Sequence, residues 1–100
     1  MRFQIHVADP KAEIDALRAL GGFDGARVLE IGCGNGRLTF CYEYAAHSVL
    51  AIDPSAEAIA KARDRLQVES AARVRFEVGS ALELNQPSAS FDVALLSHSL

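Results

Sequence analysis

From Arg27 the chain sets apolar residues on both parities of "RVLEI", so that Val28, Leu29 and Ile31 furnish two faces of one short strand. Strands apolar on both faces belong to parallel sheets covered on both sides. "SVLAI" reads the same way, "VRFEV" alternates and ends at Gly79, and "FDVALLS" is a fourth, strongly apolar strand. Between them the spacing lengthens to that of helices. Asp9 and Pro10 make a helix start, an N-cap followed by a ring that already has helical φ, and Ile14, Leu17 and Leu20 then recur until Gly21 and Gly22 stop the pattern. This predicts a first helix over residues 10–20. Leu38, Cys41, Tyr42 and Ala45 mark a second stripe that ends near His47. "DPSAEAIAKARDRLQ" predicts a third helix, with Asp53, Pro54 and Ser55 as start signals and Ile59, Ala62 and Leu66 as its buried face. Helices alternating with strands imply βαβ units, hence an α/β fold with a mostly parallel sheet; the third crossover shortens to a polar loop.

Composition narrows this picture. One hundred residues, half of them apolar, make one small globular domain at most. A net charge of −3 without a block of like charges lacks the basic stripe of a nucleic-acid binder, so the expected partner is a small molecule. "KARDR", Lys61 to Arg65, mixes signs and reads as a solvated helix face. Neither a signal-peptide core nor an apolar run of roughly 18 residues occurs, which predicts a cytoplasmic protein with no membrane span. Cys33 and Cys41 form no CxxC pair and read as buried small hydrophobes rather than as metal ligands or a disulfide. The fourth strand lies at the end of the sequence with apolar faces that need neighbours. The chain is therefore expected to be the N-terminal part of a longer domain, its C-terminal strands missing, and that exposed strand is a candidate for self-association.

Candidate chemistry concentrates in "VLEIGCGNGRL". In an open α/β sheet the ligand lies beyond the carboxyl ends of the strands, and the first such end is this glycine loop. Gly32, Gly34 and Gly36 permit positive φ and let a ligand touch the main chain, while a helix starting near Arg37 would add N–H groups and a positive dipole end. The second strand ends at Asp53, whose carboxylate can accept both hydroxyls of a ribose. A dinucleotide fingerprint needs glycine where this chain has Arg37.

"LEIGCGNGRLT" resembles the first motif of class I S-adenosylmethionine-dependent methyltransferases, and "LAIDPS" resembles their second. "VGSALELNQPSASFDVALLSHSL" is similar to their third and fourth, most like small-molecule methyltransferases of the quinone-biosynthesis type. The resemblance covers about residues 26–100. It implies a Rossmann-like three-layer sandwich, strand order 3-2-1-4 for the part present, and methyl transfer from S-adenosylmethionine to a small-molecule acceptor. It also implies roles: Gly32, Cys33, Gly34 and Gly36 lining the methionine and ribose, Glu30 steadying the loop or the ligand's ammonium, Asp53 holding the ribose. Pro54 would pack on the adenine face, Ser80 and Ala81 would lie at its edge, and Ser97 and His98 would face the methionine or acceptor. The chain departs at Ser80, where the family often has Asp; a neutral oxygen accepts a hydrogen bond weaker by about 1 kcal/mol.

An oxygen or nitrogen acceptor needs its proton removed. His98 is the candidate base, being the histidine nearest the strand ends on the cofactor side, although a loop histidine without a catalytic part fits the same position. His6 and His47 read as surface or helix-end residues, and Tyr42 joins the core stripe. Two other readings remain open from sequence: a non-catalytic module that keeps the fold to bind cofactor or partner, and a nicotinamide-dependent oxidoreductase.

Overall fold

A computed structural model describes residues 3–7, 24–80 and 91–97. The four expected runs become strands and a fifth joins them: β1 (Phe3–Val7), β2 (Arg27–Ile31), β3 (Ser48–Asp53), β4 (Val74–Val78) and β5 (Val93–Ser97). They form one sheet of order β1-β5-β2-β3-β4, with every neighbouring pair parallel. The four strands expected from sequence are β2 to β5, and their order across the sheet is the expected 3-2-1-4. The register sets Val28 beside Val49 and Val93, and Val49 beside Val74.

Two corrections concern the edges. β1 was not expected, although Phe3, Ile5 and Val7 alternate with Gln4 and His6; it pairs with β5 from Phe3 beside Val93 to Val7 beside Ser97. With β1 on one side and β2 on the other, β5 is not an exposed edge, so self-association through it loses its premise. The predicted helix over 10–20 and the third crossover lie outside the described residues.

Helices cover one face. α1 (Thr39–Tyr42) is a single turn continued by a 3-10 turn at Glu43–Ala45, and α2 (Ala56–Arg65) follows β3. Ser55 caps α2 by accepting the Ala58 N–H at 3.1 Å, and the following turns bury Ile59 and Ala62. Val28, Val49, Ala51, Val74, Phe76, Val93 and Leu95 pack with Leu38, Tyr42, Ile59 and Ala62 into one apolar core. Successive strand side chains point to opposite faces, so Leu29, Ile52 and Ala94 serve the other face, where they too are buried. Of the second predicted stripe, Leu38 and Tyr42 are buried but Cys41 is exposed, because the buried face of the turn is completed by Thr39, which leaves position 41 outside it. A helix starting near Arg37 was expected, whereas α1 begins at Thr39 and has only four residues, too few to carry the dipole argument. Among the described residues no helix is long and apolar enough to cross a membrane.

Charged residues tie the periphery. The Arg27 guanidinium spans both Asp92 oxygens at 3.1–3.2 Å and joins the starts of β2 and β5. Arg73 donates to the Glu43 carboxylate at 2.9 Å and to the Glu43 and Ala46 carbonyls. In β4 the Phe76 carbonyl accepts two bonds from the Arg63 guanidinium, at 2.9 and 2.7 Å.

Candidate functional site

The glycine loop joins β2 to α1 and is held mostly through its own backbone. Gly32, Gly34 and Gly36 have φ of 82°, 58° and 88°, in the left-handed region that favours glycine. The Gly32 and Cys33 N–H groups both donate to the Ile52 carbonyl, at 2.9 and 3.0 Å, and the Gly36 N–H donates to the Cys33 carbonyl at 3.0 Å. These bonds press the loop against the end of β3.

Asp53, half-buried at that end, completes the arrangement. Its Oδ2 accepts the Gly34 N–H at 2.9 Å and its Oδ1 accepts the Ser55 N–H at 2.8 Å. The Asp53 carbonyl accepts the Gly79 N–H at 3.0 Å, which brings the segment after β4 alongside. Two backbone donors fix the carboxylate's orientation, and each oxygen has lone-pair capacity for one further donor. Gly34 and Ser55 also border a cleft of about 350 Å³ shared with Asn35, Arg37, Glu57, Ala58 and Lys61.

At Gly36 the protein itself leaves no room for a side chain: a Cβ there would lie 2.7 Å from Phe40 Cε2 and 3.1 Å from Phe76 Cζ. Glu30, for which the sequence offered the loop or a ligand's ammonium, turns toward the helices. Glu30 is fully buried on the α1 side, where its Oε1 accepts from Thr39 Oγ1 at 2.7 Å and from the Tyr42 hydroxyl at 2.8 Å.

Sequence reasoning did not single out Thr39, Phe40 or Arg65. The Arg65 guanidinium lies 4.9 Å from the centroid of the Phe40 ring and reaches the Asn35 carbonyl at 3.4 Å, so the end of α2 clamps the loop. "KARDR" is thus more than a solvated face. Mixed charges on an exposed helix give no signal of the carbonyls they will meet.

Cys33 is buried, its Sγ donating to the Gly34 carbonyl at 3.5 Å. Burial, with the Glu30 and Asp53 carboxylates nearby, pushes its thiol up to about 12. Burial beside Glu30 likewise raises the Tyr42 phenol. At neutral pH Cys33 is an uncharged wall of the loop and no nucleophile. Iodoacetamide at pH 8 should therefore modify exposed Cys41 in the native protein and reach Cys33 only on unfolding, as peptide mass mapping would show. Both shifts favour the protonated form in the folded state: the Cys33 contribution is complete below pH 8 and is lost as pH rises toward 12, and the Tyr42 contribution is lost only above the ordinary phenol range.

The remaining sequence candidates fall around this edge. Pro54 is exposed between Asp53 and Ser55, and Ser80 is half-buried just after Gly79. Ser97 is the last residue of β5, one beyond Leu96, which stands level with Ile31. Ala81 and His98 lie outside the described residues. Among the described residues no group of three or more His, Cys, Asp or Glu could hold a metal ion.

A family model for a methyltransferase domain matches residues 28–100. The chain belongs to that family. A search of curated proteins finds no match. Among solved structures the chain is similar to an S-adenosylmethionine-dependent methyltransferase from Mesorhizobium loti, with 32% identity, a TM-score of 0.69, and coverage of 88% of this chain and 40% of that one. It is similar to a dimethyladenosine transferase from Plasmodium falciparum at 27% identity and TM-score 0.71, covering 92% and 33%. The YcgJ protein of Bacillus subtilis shares the fold, with 24% identity and TM-score 0.74 over 86% and 37%. The chain thus spans two fifths or less of each of these structures. In this methyltransferase domain the glycine loop, Asp53 and the Gly79–Ser80 segment meet at one carboxyl edge of the sheet.

Proposed function

We propose that this domain binds S-adenosylmethionine and serves methyl transfer to a small-molecule acceptor. The observation that carries the reading is the Asp53 carboxylate, oriented by the Gly34 and Ser55 N–H groups at the end of β3 and open to further donors. A vicinal diol is the ligand group whose two hydroxyls match two carboxylate oxygens. The bare backbone at Gly32 and Gly34 suits a ligand that must approach the main chain closely. Donor chemistry and loop shape fit the cofactor, whereas Glu30 takes no direct part.

When bound, S-adenosylmethionine supplies a methyl group already activated by its sulfonium. The chain's own work is then alignment. Asp53 holds the sugar, Cys33 and the loop glycines bound the methionine side as a neutral surface, and Pro54 and Ser80 border the adenine; the resemblance assigns Ala81 to the same edge. Ser97, the last residue of β5, serves the acceptor side, and the resemblance makes His98 the base for an acceptor that must lose a proton. The net charge of −3 favours a small acceptor over a nucleic acid.

Calorimetric titration of the full-length protein with S-adenosylmethionine, S-adenosylhomocysteine and NAD tests the reading. Both sulfur nucleosides should bind and NAD should not; binding of NAD alone would overturn it. Label carried from S-adenosylmethionine into RNA instead of low-mass compounds would refute the small acceptor.

A further inference from the structure

Glu30, Thr39 and Tyr42 form a buried polar knot beneath the glycine loop, with relative exposures of 0%, 0% and 1%. Glu30 is the penultimate residue of β2, and Thr39 and Tyr42 open and close α1. The knot therefore joins the two ends of the segment Ile31–Leu38 that carries all three loop glycines. We propose that the Thr39 and Tyr42 hydroxyls, by anchoring the Glu30 carboxylate, are positioning groups that set the glycine loop for its cofactor; this rests on the nucleoside reading above.

The argument begins with α1. One helical turn does not sustain itself, since nucleation costs more than a single turn returns. Its N-cap, Leu38, offers no side-chain hydrogen bond. Two short bonds to one carboxylate oxygen, 2.7 Å from Thr39 and 2.8 Å from Tyr42, pin both ends of that turn to β2. Bulk stability gives little reason for this choice, because a buried carboxylate with two hydroxyls is commonly no more stabilising than apolar side chains of the same volume. A satisfied polar cluster differs in being directional: it admits one arrangement of its members where an apolar contact admits several. Here that arrangement fixes where Gly32, Gly34 and Gly36 lie. Without it the loop samples other states, and apparent affinity falls by the fraction of time spent in the competent one.

The test compares near-isosteric hydroxyl deletions, chosen because Glu30→Ala would endanger folding. Full-length Tyr42→Phe and Thr39→Val are each titrated with S-adenosylhomocysteine and followed by amide exchange. Each should raise Kd about tenfold, the equivalent of one hydrogen bond to a charged group. Exchange at Gly32, Cys33, Gly34 and Gly36 should quicken. Thr39→Ser, which keeps the hydroxyl, should restore wild-type affinity. Arg27→Met, which releases Asp92 at the opposite end of β2, should lower Tm without moving Kd. Unchanged Kd in both deletions overturns the inference, as does an equal Kd change in Arg27→Met. Should the wild type fail to bind the nucleoside, the cofactor reading falls by itself, and loop exchange unaffected by Tyr42→Phe then removes the positioning claim as well.

Discussion

Asp53→Ala should weaken S-adenosylhomocysteine binding by about 3 kcal/mol, roughly 150-fold. The effect is expected to exceed that of one ordinary hydrogen bond because the carboxylate works in two directions. Toward the ligand it offers acceptors for both ribose hydroxyls. Toward the protein it engages the Gly34 N–H at 2.9 Å and the Ser55 N–H at 2.8 Å, so truncation also loosens the loop and the entry to α2. Asp53→Asn should fall between wild type and Ala, since its amide keeps one acceptor but turns a donor toward a second N–H. Calorimetry on folded protein measures all three. Undiminished affinity in Asp53→Ala would place the sugar elsewhere.

The second large effect is structural. Gly36→Ala should destabilise the fold by about 2 to 3 kcal/mol in urea denaturation. A φ of 88° is strained for any residue with a side chain, and the added methyl would meet Phe40 Cε2 at 2.7 Å. That ring has little room to retreat: its centroid lies 5.6 Å from that of Phe76, and the Arg65 guanidinium lies over its face. Combining Gly36→Ala with Phe40→Leu separates the two causes. The smaller side chain relieves the contact and leaves the backbone strain, so the double variant should be more stable than the two single losses added together, by about 1 kcal/mol. A Gly36→Ala protein within about 0.5 kcal/mol of wild type would show that the loop adopts another path.

The sheet was legible because its pattern is local. Val28, Leu29 and Ile31, then Val49, Ala51 and Ile52, announce strands with two covered faces, and Ser55 announces the start of α2. β1 was missed although "FQIHV" alternates, since its partner β5 lies at the far end of the chain and no local signal reports such pairing. The orientation of Glu30 is legible from parity: it stands on the same side of β2 as Val28, so it faces the helices. The brevity of α1 was not legible, because Leu38, Cys41, Tyr42 and Ala45 fit a longer helix equally well, and only tertiary packing shows Cys41 turned outward. Arg63 and Arg65 illustrate the same limit for polar residues, whose partners here are carbonyls distant in sequence.

The Arg63 contact with β4 bears on how the molecule behaves in a crowd. Around β4 the Arg73 carbonyl and the Gly79 N–H both bond to β3, so by the alternation of a parallel ladder the Phe76 carbonyl points away from the sheet. That is where a stray extended peptide would dock to begin an intermolecular ladder. With the guanidinium already seated on that oxygen and the Arg75–Glu77 ion pair on the same strand, the outer rim offers a poor template for fibre growth.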